Sequence, residues 1–257
     1  MVARIEAKAM KKMLLILLAS IGFCSAAFTL QAETKPVLIV LTSHRELGDT
    51  GKTTGFFLSE LTHPLEVFEK AGLEVEFASI GGAEPPVDGL DLEDPVNARY
   101  WNDPAFRSKL TATKKLSEVN PSQFSAVFFS GGHGTMWDFS DDPAVQKVAR
   151  EIYEAGSPVA AVCHGPSALV NVKLSNGTFL VEGKEVAAFT NSEEEKMGLT
   201  KVVPYLLETK LIERGAKHIA APDFQKNVVA SGRLITGQNP ASASGVAEKM
   251  LELLREK

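Results

Sequence analysis

The stretch Pro158-Val159-Ala160-Ala161-Val162-Cys163-His164-Gly165-Pro166 decides how this chain folds. Its apolar run lies between Gly156-Ser157 and Gly165-Pro166, which is the pattern of a buried strand. Pro166 suits the first turn of a following helix. Cys163 therefore stands on a sharp strand-to-helix corner. That is the form of a nucleophile elbow, although the residue is Cys and no G-x-S-x-G pattern is present. Helix-start N–H groups beside a thiol lower its pKa, so this placement predicts a reactive thiolate. The plainer alternative is a small, inert core cysteine.

Outward from this corner, residues 37–41 read as a first buried strand. Residues 58–71 read as a helix, with Leu58, Leu61, Leu65 and Phe68 at helical spacing and Gly72 as its stop. Residues 73–78 alternate apolar and acidic side chains, as a strand does. A polar, Pro/Gly-rich excursion fills 81–102, and a short helix is predicted at 104–119. Residues 126–129 form a strand ending at Gly131-Gly132-His133-Gly134. A helix at 143–155 leads back to the strand before Cys163. Beyond it lie a hairpin turn at Ser175-Asn176-Gly177-Thr178, a strand at 186–189 and a helix at 204–214. A hairpin at 228–236 turns at Ser231-Gly232, and a last helix opens at Asn239-Pro240 and runs to Leu254. Strands alternating with helices predict an α/β fold: a mostly parallel sheet with helices on both faces. Ligands bind such sheets at the carboxyl ends of the strands. The loop after Leu41, the glycine run after Phe129, and Cys163 all fall there.

The N-terminus carries Met10-Lys11-Lys12, an apolar stretch over 13–23, then Ser25-Ala26-Ala27 and Gln31-Ala32. A charged region, an apolar region and small residues are the parts of a secretory signal peptide. This predicts a signal over 1–32, with Met10 as an alternative start, and a single domain over 33–257. The protein would be exported to the periplasm and meet a membrane only through that signal; an uncleaved N-terminal anchor is the alternative. Removing the signal removes Cys24 and leaves Cys163 as the one cysteine. A lone thiol in an oxidising compartment favours a chemical role. The first 32 residues hold four basic and one acidic side chain, so 33–257 keeps 23 basic against 31 acidic, a net charge of −8. An acidic chain without basic clusters excludes nucleic acid as a partner.

Cys163 is the candidate nucleophile. Adjacent residues at an elbow diverge, so His164 need not touch the sulfur; it can still shuttle a proton, or merely cap the turn. Gly131, Gly132 and His133 place backbone N–H groups at a strand end, where with the His164 amide they can form an oxyanion hole, or a plain tight turn. Glu60 lies on the first helix beside Leu58 and Leu61. Pressed into an apolar edge, its carboxyl would stay protonated and could donate to a thiolate; spacing alone favours an exposed glutamate. In Glu193-Glu194-Glu195 one acid can orient His164, or all three can be a solvated helix start. The five histidines show no metal-ligand spacing, so no metal and no cofactor are expected.

Together, Ala161-Val162-Cys163-His164-Gly165-Pro166, Ser130-Gly131-Gly132-His133-Gly134-Thr135-Met136-Trp137-Asp138 and Thr236-Gly237-Gln238-Asn239-Pro240-Ala241-Ser242 resemble the ThiJ/PfpI superfamily. More narrowly, they resemble its heat-shock-chaperone and glutathione-independent glyoxalase branch. Thr42-Ser43-His44 and the stretches from Lys52 to Phe56 and from Glu60 to Pro64 fit as well. The resemblance implies a flavodoxin-like three-layer sandwich and a homodimer. It puts the nucleophile at Cys163, the thiolate-contacting acid at Glu60 and the adjacent histidine at His164. The histidine-orienting acid falls at Glu194, with Glu193 as its rival, and the oxyanion donors at the amides of Gly132 and His164. The implied activity is a glyoxalase or deglycase acting on a small reactive carbonyl, such as methylglyoxal, or on a glycated protein. An envelope holdase chaperone and a cysteine peptidase or amide hydrolase are the alternatives.

Overall fold

Long apolar runs with few charges can be buried on both faces, and the central strands here are of that kind. The computed structural model describes residues 35–256. The segment assigned above to a secretion signal lies outside them. Strands β1 (Val37–Leu41), β6 (Ala126–Phe129) and β7 (Val159–Val162) are buried along their whole length. The other named strands are β2 (Phe56–Phe57), β3 (Val75–Ser79), β4 (Val87–Asp88), β5 (Lys114–Lys115), β8 (Glu185–Val186), β9 (Lys217–His218), β10 (Val228–Ser231) and β11 (Leu234–Gly237). The helices are α1 (Leu58–Lys70), α2 (Pro95–Trp101), α3 (Pro104–Thr111), α4 (Thr135–Asp138), α5 (Pro143–Glu154), α6 (Asn191–Lys196), α7 (Leu207–Glu213) and α8 (Ala243–Arg255).

The main sheet runs β10-β11-β7-β6-β1-β3-β5. Every pair is parallel except the β10–β11 hairpin. Alternate residues of each strand face opposite layers. Leu38, Val40, Val127, Phe129, Val159 and Ala161 pack with Val145, Val148, Ala149 and Ile152 of α5. Val37, Ile39, Leu41, Phe128, Ala160 and Val162 pack with Leu61, Leu65 and Phe68 of α1 and Val246, Ala247 and Met250 of α8. Burying each large apolar side chain contributes roughly 1.5–3 kcal/mol. The predicted three-layer α/β sandwich, with its mostly parallel sheet, is the architecture observed.

Three local expectations change. The helix predicted over 104–119 ends at Thr111, because Lys114 and Lys115 pair with Ala78 and Ser79 and become the sheet edge. The strand predicted over 186–189 stops at Val186. The Ala187 and Ala188 amides donate to the Thr236 hydroxyl and the His218 ring, so side chains replace the ladder. The excursion over 81–102 contains β4 and the short helix α2, whose start is capped by Asp94 accepting from the amides of Val96 and Asn97.

Candidate active site

The strand β7 delivers Cys163 to the carboxyl edge of the sheet. The Cys163 amide donates to the Gly237 carbonyl at 2.9 Å, and its carbonyl accepts from the Phe189 amide at 2.9 Å. Held from both sides, Cys163 has φ +60°, in the left-handed region. For a residue with a side chain that conformation stores on the order of 1–3 kcal/mol and persists only where neighbours enforce it. The turn that follows is a five-residue 3-10 helix, Gly165–Leu169, rather than an α-helix.

The elbow changes two expectations. His164 does not diverge from the thiol: its Nδ1 lies 3.3 Å from Cys163 Sγ, because the left-handed corner turns the adjacent side chains toward each other. The thiol pKa is not lowered by a helix start. Burial pushes it well up, and the Glu60 carboxyl beside it adds to the rise; the His164 amide facing the sulfur opposes both. A five-residue 3-10 helix carries too little dipole to outweigh this burial.

Glu60 is fully buried, and neither carboxyl oxygen meets a hydrogen-bond partner of ordinary geometry. Burial raises its pKa to about 8 against the pull of the Cys163 thiol and the Gly131 amide, with Asp88 adding to the rise. At neutral pH this favours the protonated carboxyl, and its burial differs from the exposed glutamate that spacing alone favours. Cys163 and Glu60 are best treated as one coupled pair, with protons belonging to both.

Behind His164 lies Glu194. Its Oε2 takes the His164 Nε2 at 2.8 Å and its Oε1 takes the His133 Nε2 at 2.9 Å. The two imidazole rings sit 4.0 Å apart, with Phe189 4.3 Å from His164. Burial would raise the Glu194 carboxyl, but the hydrogen bonds and charges of His133 and His164 prevail and hold it at about 2. Burial, helped by His133, drives His164 down to about 4 despite Glu194. A neutral His164 with Nε2–H on Glu194 leaves Nδ1 as the acceptor facing the thiol, a tautomer assigned from this bonding pattern.

A capping box separates Glu194 from its rival. Thr190 Oγ1 accepts from the Glu193 amide at 3.0 Å, and the Glu193 carboxylate accepts from the Thr190 amide at 2.9 Å. Glu193 also accepts from the Phe224 amide and from Asn239 Nδ2. Its next neighbour, one helical step round, is left facing the histidines. The sequence Thr190-Asn191-Ser192-Glu193 carries the S/T-x-x-E signature of this box, so the choice was there to be read.

The glycine run fits tightly against the same groups. A methyl group on Gly131 would lie 2.3 Å from Glu60 Oε2 and 2.5 Å from the Val162 carbonyl. On Gly132, at φ +104°, it would lie 2.3 Å from the Gly55 carbonyl. The Gly131 amide faces Glu60. The fold thus brings Cys163, His164, Glu60, Glu194, Gly131, Gly132 and His133 to one place. Sequence reasoning gives His133 only a backbone role and misses its side chain. It also missed Asp138, whose carboxylate accepts from Thr42 Oγ1 at 2.8 Å and the Ser43 amide at 2.7 Å and fastens the loop after β1. Although the sequence spacing of the histidines gives no metal pattern, His133, His164 and Glu194 place three ligand atoms within 4.8 Å of one another.

A model of the DJ-1/PfpI family matches residues 53–253. The chain is 35% identical over 233 residues to Glyoxalase 3 of Candida albicans, across 84% of this chain and 96% of that one. It is 34% identical over 237 residues to the glutathione-independent glyoxalase HSP31 of Saccharomyces cerevisiae, across 86% of this chain and 98% of that one. Among solved structures, the 24 kDa Rapid Encystment Protein of Francisella tularensis superposes with a TM-score of 0.84 at 38% identity, across 86% of this chain and 99% of that one. Glyoxalase III of Candida albicans superposes with a TM-score of 0.79 at 32% identity, across 85% and 96%. The flavodoxin-like fold implied by the motifs is therefore the fold found.

These relatives correct the expectation of export. The curated proteins matched over nearly their whole length are yeast glyoxalases. The periplasmic placement does not hold, so an oxidising compartment does not explain the lone thiol. The case for Cys163 rests on the geometry of its corner.

Proposed function

Because the chain belongs to the DJ-1/PfpI family, we propose that it is a glutathione-independent glyoxalase, converting 2-oxoaldehydes such as methylglyoxal to 2-hydroxy acids with Cys163 as nucleophile. One observation carries this reading: the Cys163 thiol stands between a fully buried Glu60 carboxyl and a His164 ring nitrogen 3.3 Å away, and that ring is backed by Glu194 at 2.8 Å. The names of the relatives supply the reaction class.

The thiol gives its proton to His164 Nδ1 as sulfur attacks the aldehyde carbon. The resulting oxyanion, which this proposal gives to the Gly132 and His164 amides on the strength of the motif resemblance, takes the proton from the imidazolium, giving a hemithioacetal. Neutral His164 then removes the hydrogen from the former aldehyde carbon while Glu60 gives its proton to the neighbouring carbonyl oxygen, forming an enediol. Returning the His164 proton to the neighbouring carbon, with the first carbon's hydroxyl proton going back to Glu60, leaves a 2-hydroxy thioester. The first carbon is oxidised and the second reduced within one molecule, so no external redox partner is needed. Water cleaves the thioester and releases lactate and the free thiol. Glu60, protonated, donates toward the sulfur or the substrate oxygen beside it, while Glu194 holds the ring and balances the imidazolium. His133 shares that carboxylate and lines the mouth. The homodimer implied by the motif resemblance is part of the proposal, and light scattering on the purified chain tests it.

The decisive experiment follows methylglyoxal consumption and lactate formation without glutathione. Wild type should turn over, Cys163→Ala should not, and Glu60→Gln should be slowed by roughly 10²–10⁴-fold, the range of a general acid–base contribution. Wild-type protein with a reduced thiol that leaves methylglyoxal untouched would sink the reading.

A further inference from the structure

We propose that His133, His164 and Glu194 form a binding site for a divalent ion of the zinc class, and that an ion seated there silences the neighbouring thiol. Among the described residues this is the one group of three such side chains whose ligand atoms converge, all within 4.8 Å of one another. Two imidazole nitrogens and a carboxylate are the donor set that zinc-like ions take, leaving a fourth position for water.

The distances fit an exchange of hydrogen for metal. The nitrogen–oxygen separations are 2.9 Å for His133 and 2.8 Å for His164. Two ligands about 2.0–2.1 Å from a tetrahedral ion are separated by about 3.3 Å. His133 and His164 sit on opposite oxygens of the Glu194 carboxylate, so one ion takes the place of the two shared hydrogens when the hydrogen-bonded pairs open by a few tenths of an ångström and the ligand atoms, all within 4.8 Å, draw in around it. The site is also reachable. His164 is sealed, but the His133 side chain is 13% exposed and offers a way in.

The consequence follows from the two nitrogens of one ring. Without metal, His164 Nε2–H donates to Glu194, and bare Nδ1 faces the sulfur at 3.3 Å. A metal needs the Nε2 lone pair of both rings. The two Nε2 protons must then reside on Nδ1, so each imidazole remains neutral and the only charge gained is that of the ion. His164 now presents Nδ1–H to the sulfur and can no longer accept the thiol proton. Metal binding and the base role of this ring exclude each other. This blocking effect rests on the proposed function, whereas the site itself does not.

Calorimetric titration of the full chain with zinc chloride tests the site without recourse to turnover. Wild type and Cys163→Ala should each bind one ion per chain at this site. His133→Gln should weaken that binding by more than the roughly 10–100-fold that loss of an outer-shell partner costs. Unchanged binding in a folded His133→Gln, loss of binding in Cys163→Ala, or no binding in wild type would each overturn the proposal. The absorption spectrum of cobalt-loaded wild type decides independently of any variant. Visible ligand-field bands without a thiolate-to-cobalt transition support the site, and a strong thiolate band overturns it. Where the enzyme turns over methylglyoxal, zinc should inhibit it in step with occupancy and a chelator should restore it. Metal binding without turnover would sink the glyoxalase reading and leave this site standing; turnover without metal binding would do the reverse.

Discussion

Glu60 gives the molecule its clearest pH signature. Its carboxyl titrates at about 8 in the fold against an ordinary value of 4.5. Between those limits the folded chain holds a proton that the unfolded chain has lost, so stability falls as pH rises from about 4.5 to about 8. Glu60→Gln removes the effect. Its unfolding free energy should gain on that of wild type by an amount on the order of a few kcal/mol as the buffer moves from pH 5 to pH 8. A constant gap across that range would mean the carboxyl is not held protonated. The same values shape the rate profile. His164 must be neutral, so kcat/KM should fall as pH drops through about 4; Glu60 must be protonated, so it should fall again above about 8. In Glu60→Gln the alkaline limb should disappear from the residual activity. Glu194→Gln should lower kcat more than it raises KM, since a glutamine cannot fix both imidazole tautomers or balance the imidazolium.

At the scale of elements, the site depends on how closely loops approach the end of β7. Gly131→Ala should abolish turnover, because its methyl group would collide with the Glu60 carboxyl and the Val162 carbonyl. A matched control lies on the far helix. Asp142 caps α5 by accepting from the amides of Ala144 and Val145 at 2.8 and 2.9 Å. Asp142→Ala should cost about 1 kcal/mol, lowering the melting temperature by about 2–4 °C. Its kcat should stay at the wild-type value. Thermal unfolding and steady-state kinetics on the same samples separate the two variants.

At the scale of the whole molecule, a single strand feeds both halves of the core. Phe128 and Phe129 on β6 are both fully buried and point into opposite layers. Phe128→Ala and Phe129→Ala should each lose about 3–5 kcal/mol in denaturant unfolding. An effect below about 1 kcal/mol at either position would contradict the two-layer packing. The acidic balance, 32 Asp and Glu against 27 Lys and Arg, belongs to this scale too and bears on partners rather than fold.

The sequence by itself determined the layered α/β plan, because period and punctuation are local: apolar runs bounded by Gly and Pro must be buried, and their alternation with helices leaves few topologies. It also placed Cys163 on its corner and the glycine run at a strand end. The tertiary structure alone decided the chemistry of these groups. Burial, not the short turn after Cys163, governs the thiol; the same burial lifts the Glu60 carboxyl far above the range of an exposed helix glutamate. His133 and His164 stand 31 residues apart in number, and only the packing of β6 against β7 seats both on Glu194. Local spacing sets which face of an element a residue occupies. Dielectric, tautomer and ligand geometry depend on what the fold brings against that face.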